Sequence, residues 1–238
     1  MRIAVIQFPA SNCDLDALHA LRLLGLDADL VWHRDFNGKG GDYDGAILPG
    51  GFSYGDHLRA GAIAAFTPAV QEVKDMAREG KPVGGICNGF QILMEAGLLP
   101  GALIENSSMK FICRWVIIKT ETKRTAFTTL MSVDQLLRMP VAHHQGRFFI
   151  DEPDLKSLYE NDQIVFRYVD DRGAPTEDSN PNGSLQNIAG VCNLEGNVVG
   201  LMPHPERASE AILNPGSSKT SDGRIFFESM IDYIRGRT

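Results

Sequence analysis

An α/β chain built on one doubly wound, mostly parallel sheet, with an added antiparallel, strand-rich C-terminal half, is the architecture that three observations predict. Short apolar runs alternate with helical stripes as far as Leu99, glycine-rich turns stand where several of those runs end, and beyond Leu99 the runs shorten and are separated by loops. The order strand, helix, strand, strand, helix, strand, helix is that of parallel crossover units. With 238 residues, 43% of them hydrophobic, the chain can fill one core and is read as a single domain over residues 1–238.

Arg2 to Phe8 (RIAVIQF) reads as the opening strand, with Ser11 and Asn12 as candidate caps for a following helix. Ala17, Ala20, Leu21 and Leu24 give that helix one apolar stripe, ended by Gly25. Ala28 to His33 and Tyr43 to Leu48 are the next strands. The second runs into Pro49-Gly50-Gly51-Phe52-Ser53-Tyr54-Gly55-Asp56, a glycine-rich loop at a strand's carboxyl end, where open parallel sheets place their ligands. Thr67 and Pro68 open a helix with Ala69, Val73, Met76 and Ala77 inward and Gly80 as terminator. Pro82 to Ile86 is a buried strand, Cys87 a joint, and Asn88 to Ala96 a helix stopped by Gly97. Further strands are expected at Ala102 to Glu105, Cys113 to Lys119, Arg147 to Ile150, Ile164 to Tyr168, Ile188 to Asn193 and Val198 to Met202. Arg172 to Gln186, broken by Pro175, Pro181 and Gly183, reads as an exposed loop. A last helix, capped by Ser221, buries Phe227, Met230, Ile231 and Ile234.

Composition narrows the function. The net charge of −7 and the lack of a basic run argue against a nucleic-acid partner. The N-terminal apolar run is interrupted by Gln7 and Pro9, and no stretch approaches a membrane span, so a cytoplasmic protein is expected. Four scattered cysteines, Cys13, Cys87, Cys113 and Cys192, form neither a disulfide framework nor a zinc pattern. The adjacent His143 and His144, with no acidic or thiol cluster near them in sequence, read as an ordinary loop pair and not as metal ligands.

The chemistry points to Cys87. Gly85 and Gly89 bracket it in the G-x-C-x-G pattern, the thiol counterpart of a nucleophile elbow, and the start of the following helix sets N–H groups beneath the sulfur. A base and a carboxylate stand in Met202-Pro203-His204-Pro205-Glu206 at the end of the last strand. Each residue before a proline is biased towards extended backbone, so His204 and Glu206, two apart, are expected to point the same way. A nucleophile, a base and an orienting carboxylate make a set that either segment lacks alone.

GGICNGFQIL around Cys87, ILPGGFSYGDHLRAGAIA from Ile47 and GLMPHPER from Gly200 resemble the signature blocks of the class I glutamine amidotransferases, a family of flavodoxin-like fold. GGFSYGD, NSSMKFICR (Asn106 to Arg114), PNGS (Pro181 to Ser184) and MPHPER resemble its purine-biosynthetic branch, and the resemblance covers nearly the whole chain. It implies that Cys87 attacks the side-chain amide of glutamine, that His204 moves the protons, that Glu206 orients His204, and that Gln91 reaches the bound glutamine. Two tetrahedral oxyanions then need donors, for which the backbone N–H groups of Asn88 and Gly51 are the candidates. Phe52 and Gly51 are expected to wall the glutamine pocket. The freed ammonia requires a partner synthetase, which in the family uses ATP and magnesium on a formylglycinamide ribonucleotide, usually with a small third subunit. No cofactor is expected in this chain, which has no phosphate loop of the G-x-x-x-x-G-K-[ST] type. The chain departs from the family where Ala142-His143-His144-Gln145-Gly146-Arg147 stands for an A-H-G-E-G-R-like stretch. The resemblance places this loop near the amino-acid end of glutamine, and Lys119 to Pro140 matches nothing in the pattern. Three other readings share these residues: a cysteine hydrolase or peptidase on the same scaffold, a non-catalytic scaffold module, and a glutaminase serving another synthetase.

Overall fold

The computed structural model describes residues 1–215 and 220–237. One nine-stranded sheet runs through it, in the order β2-β1-β3-β4-β11-β10-β9-β6-β7. The strands β1 (Arg2–Gln7), β2 (Asp27–Trp32), β3 (Gly45–Leu48), β4 (Val83–Ile86) and β11 (Val198–Leu201) pair in parallel, as the crossover grammar predicts. The sheet continues antiparallel through β10 (Ile188–Cys192), β9 (Ile164–Val169), β6 (Ile112–Thr120) and β7 (Leu136–His143). A separate pair joins β5 (Ala102–Ile104) to β8 (Arg147–Phe149).

The helices are α1 (Asp14–Leu23), α2 (Ala62–Ala65), α3 (Pro68–Arg78), α4 (Asn88–Glu95), α5 (Glu152–Glu160) and α6 (Arg224–Arg235). The step from β1 to β2 and the step from β3 to β4 run in opposite directions across the sheet. Right-handed crossovers therefore place α1 and α3 on opposite faces. The reversal falls between β1 and β3, so the loops leaving these two strands form the crevice in which open α/β sheets bind ligands. Those loops are tied together: Ser11 bridges Gly51, and the Asn12 and Cys13 N–H groups both donate to the Gly50 carbonyl. The core is continuous from Ile3 to Ile234, and where α6 covers the sheet Phe127 stacks on Phe226, which meets Phe227 edge to face.

Several expectations need correction. Ser11 and Asn12 do not cap α1; Cys13 stands at the N-cap, and the Ser11 hydroxyl instead accepts from the Phe8 N–H. Thr67 is the N-cap of α3, but its hydroxyl donates backwards to Ala64 O. Gly223, not Ser221, precedes α6. The short α2, the helix α5 and the strand β7 were not anticipated, so Ala142 and His143 end a strand instead of lying in a loop. The stretch from Arg172 to Gln186 is exposed only in part, because Asn182 and Ser184 are buried.

Close approaches at glycine set the centre. A Cβ on Gly89 would lie 1.9 Å from the Leu48 carbonyl oxygen, and one on Gly200 would lie 2.0 Å from the Phe90 ring. Gly89→Ala is expected to cost about 3 kcal/mol or more of unfolding free energy in urea denaturation, since backbone has to move. Gly41→Ala, with nothing within 4 Å of its Cβ, should stay within about 0.5 kcal/mol of the parent.

Candidate active site

Cys87 joins β4 to α4 at φ 51° and ψ −102°, a conformation that a side-chain-bearing residue adopts only when its surroundings impose it. Its N–H donates to Leu201 O at 2.8 Å and its carbonyl accepts from the Gln91 N–H at 3.1 Å, so both strand and helix hold it. A Cβ on Gly85 would meet the Gly89 backbone at 2.8 Å, which is why both bracketing positions are glycine. The thiol, 4% exposed, lies 3.6 Å from Ala142 O of β7.

His204 and Glu206 leave the end of β11 and are both buried. The imidazole Nδ1 lies 2.5 Å from Glu206 Oε1, a distance that fixes the ring with Nδ1–H towards the carboxylate. Nε2 has no hydrogen-bond partner. The pairing does not come from the two-residue alternation of extended backbone that the flanking prolines led one to expect. Pro205 is helical and Glu206 opens a turn of 3-10 helix, which folds the carboxylate back under the ring. The His204 N–H donates to Pro140 O at 2.9 Å, so the antiparallel half anchors the base. Burial by itself would lower the pKa of His204, but the charges of Glu206 and Cys87, with contacts from Cys13 and Cys87, outweigh it and hold the imidazole well above its ordinary value.

The glycine-rich loop reaches the same place. A Cβ on Gly50 would lie 2.7 Å from His204 Cε1, and Gly51, at φ 152°, passes so close to Ser11 that a Cβ would meet its Cα at 2.7 Å. Phe52, 40% exposed, leans on Phe111 with ring centroids 6.4 Å apart. Asn88 clamps the loop: its Oδ1 accepts from the Ser53 N–H at 3.0 Å, and its Nδ2 donates to Gln91 Oε1 at 2.9 Å and to Asp56 Oδ1 at 3.5 Å. Burial raises the Asp56 carboxyl to about 6. Gln91 Nε2 in turn donates to Gln145 O at 2.5 Å, and Gln145 Oε1 accepts from the Ala60 N–H. Both ends of the Gln91 carboxamide are thus engaged within the protein, and the side chain links the elbow to the β7–β8 turn.

Residues that sequence reasoning left without a role complete the arrangement. Asn106 Oδ1 accepts from His143 Nδ1 and from the Gly146 N–H, each at 3.1 Å, while its Nδ2 donates to Lys110 O and His143 O. Asn182 Nδ2 donates to Gly146 O at 2.7 Å, and Ser184 Oγ accepts from the Phe148 N–H at 3.0 Å. The blocks NSS, AHHQGR and PNGS therefore meet around one turn. In the sequence, NSS and PNGS are marked only by their resemblance to the family's blocks, and AHHQGR only as a departure from them. Cys13, read only as a scattered cysteine, packs beside His204.

A thiol at a strained strand-to-helix joint, backed by a buried imidazole and carboxylate, is the arrangement that cysteine-nucleophile acyl transfer on a doubly wound α/β scaffold requires. The chain belongs to the glutamine amidotransferases: the family model described as the CobB/CobQ-like glutamine amidotransferase domain matches residues 1–234. It is 55% identical to the phosphoribosylformylglycinamidine synthase subunit PurQ of Methanosarcina acetivorans over 235 residues, 98% of each chain. It is 50% identical to the subunit of the same name from Aquifex aeolicus over 232 residues, 97% of this chain and 99% of that one. Among solved structures it superposes on a chain of PurLQS from Thermotoga maritima with a TM-score of 0.83 and 44% identity, covering 98% of both chains.

Burial, then the neighbouring His204, lowers the His143 pKa to about 3. A histidine with a depressed folded-state pKa contributes stability that is present above its unfolded value of about 6.5 and is lost as pH falls, because the unfolded chain takes up the proton first. Between pH 7 and pH 5 this costs about 2 kcal/mol. Chemical denaturation at the two pH values should show that loss in the parent and a flatter dependence in His143→Gln.

Proposed function

We propose that this chain is the glutaminase subunit of phosphoribosylformylglycinamidine synthase, one glutaminase domain over residues 1–238 that hydrolyses glutamine through a Cys87 thioester and hands the ammonia to a synthetase. The observation that carries this reading is the His204–Glu206 pair with its bare Nε2 beside the strained Cys87, in a chain so closely related to subunits of that name.

His204 Nε2 takes the thiol proton, and the sulfur attacks the γ-carboxamide carbon of glutamine. The oxyanion is met by the backbone N–H groups of Asn88, in the first turn of α4, and of Gly51, each worth about 3 kcal/mol in the transition state. The imidazolium returns its proton to the departing nitrogen, and ammonia leaves. Water then attacks the thioester, His204 takes its proton and returns it to the sulfur, and glutamate is released. Glu206 keeps Nδ1 as the donor and stabilises the imidazolium in both halves of the cycle. Phe52 and Gly51 wall the pocket, and Gln91 holds the wall to the β7–β8 turn.

The PurLQS assembly of the solved neighbour supports a synthetase partner and a small third subunit, and we assign ATP and magnesium to that synthetase. Among the described residues, no helix is long and apolar enough to cross a membrane, which accords with a cytoplasmic assignment.

A glutamine analogue carrying a chloroketone should form one adduct, mapped to Cys87 by mass spectrometry, competed by glutamine and not by asparagine. Labelling of Cys87 by general thiol reagents but not by the analogue, in the assembled complex, would overturn the reading. Cys87→Ser should abolish glutamine-dependent synthesis and spare synthesis from free ammonia. Glu206→Gln should lower kcat by about 10²–10⁴ with little change in KM, in steady-state assays of ammonia release.

A further inference from the structure

Cys13 has no part in the cycle just described, yet it sits on the catalytic pair. One ligand atom each from Cys13, His204 and Glu206 lie within 4.8 Å of one another, and all three residues are buried. Gly50 keeps the gap between thiol and imidazole open: a Cβ there would come within 3.0 Å of Cys13 Sγ and 2.7 Å of His204 Cε1. Two polar atoms of the cluster, His204 Nε2 and Glu206 Oε2, are buried and without a hydrogen-bond partner. The thiol donates to Oδ1 of the exposed Asn12 at 3.1 Å and also contacts His204.

We propose that Cys13, His204 and Glu206 form a buried site for a thiophilic divalent cation, with zinc as the probe, and that its occupancy inhibits the enzyme. Thiolate, imidazole and carboxylate with a fourth position open is a zinc donor set, and it discriminates against magnesium and calcium, which take oxygen ligands. Zinc bonds of about 2.0–2.3 Å place tetrahedral ligands about 3.3–3.8 Å apart, so the widest separation in the cluster needs to close by about 1 Å, while His204 Nδ1 and Glu206 Oε1, 2.5 Å apart, open by a similar amount. Binding displaces the Cys13 thiol proton to solvent and replaces the proton held between His204 and Glu206, so it strengthens as pH rises. The metal takes the imidazole out of proton transfer. This last consequence rests on the glutaminase reading; the binding site itself does not.

Two measurements separate these parts. Cobalt(II) titrated into the Cys87→Ala chain should produce a thiolate-to-cobalt charge-transfer band in the near ultraviolet, and the band should vanish in Cys87→Ala/Cys13→Ser. Absence of the band, or its survival in the double variant, overturns the site, since Cys113 or Cys192 would then be the ligand. In the assembled complex with Cys87 intact, zinc should inhibit glutamine hydrolysis. Cys13→Ser, with inhibition read relative to its own zinc-free turnover, should require at least about tenfold more zinc for half-inhibition. Equal sensitivity of parent and variant would place the inhibitory metal on Cys87 and overturn the proposal. Cys13→Ala, checked by thermal melting beside Cys13→Ser, guards against a folding defect and should show the same loss of zinc sensitivity.

Discussion

The approach of α4 to the end of β3 governs the rest of the molecule. Gly89 lets the helix lie against the Leu48 carbonyl, Gly85 lets the strand lie against Gly89, and Gly200 makes room for Phe90 on the next strand. With helix and strands this close, the one residue between them cannot relax, and Cys87 is held at positive φ with its sulfur beyond the carboxyl edge of the sheet. Such strain persists only where neighbouring packing over-determines it, and here the packing is a core of fully buried strands. The cost of the joint is thus carried by the scaffold, and the reactive atom gains a fixed position without a long side chain to order.

The two halves of the sheet divide the chemistry. The parallel half supplies Cys87, the glycine loop and the strand that delivers His204. From the antiparallel half, β7 supplies a backbone carbonyl to the His204 N–H and another beside the Cys87 thiol. Asn106 and Asn182 then tie the turn after β7 to two distant loops. Asn88, Gln91 and Gln145 close the circuit back to the glycine loop. The walls of the site are therefore one hydrogen-bonded unit, and a shift of the glycine loop is felt at the turn between β7 and β8.

The parallel half was legible because its cues are local: apolar runs of strand length, stripes of helical spacing, and glycine where two backbones meet. The grouping of Cys87, His204 and Glu206 was legible for a similar reason, since a glycine-bracketed cysteine and a proline-flanked histidine each carry backbone meaning. Strand β7 was not. Leu137, Met139, Val141 and His143 do alternate inward, but Pro140 argues against a strand, and only its place at the edge of the sheet makes that proline tolerable. Helix α5 buries Leu158 alone, too little for a stripe. The roles of Asn106, Asn182 and Cys13 depend on partners 36 or more positions away or on the far side of a folded crevice, and nothing in their neighbourhood distinguishes a buried asparagine from a solvated one.

The PNGS segment carries a durability of its own. Asn182 followed by Gly183 is the sequence in which a flexible chain deamidates most readily, because the glycine nitrogen attacks the asparagine carboxamide and closes a five-membered ring. Here the Gly183 N–H donates to Asn180 Oδ1 at 2.9 Å, the Asn182 amide donates to Gly146 O, and its carbonyl accepts from the Ser184 N–H. Attacking nitrogen and target carbon are both immobilised in hydrogen bonds, with Asn182 fully buried. The folded chain therefore resists, at Asn182, a chemical clock that starts to run there only when this loop opens.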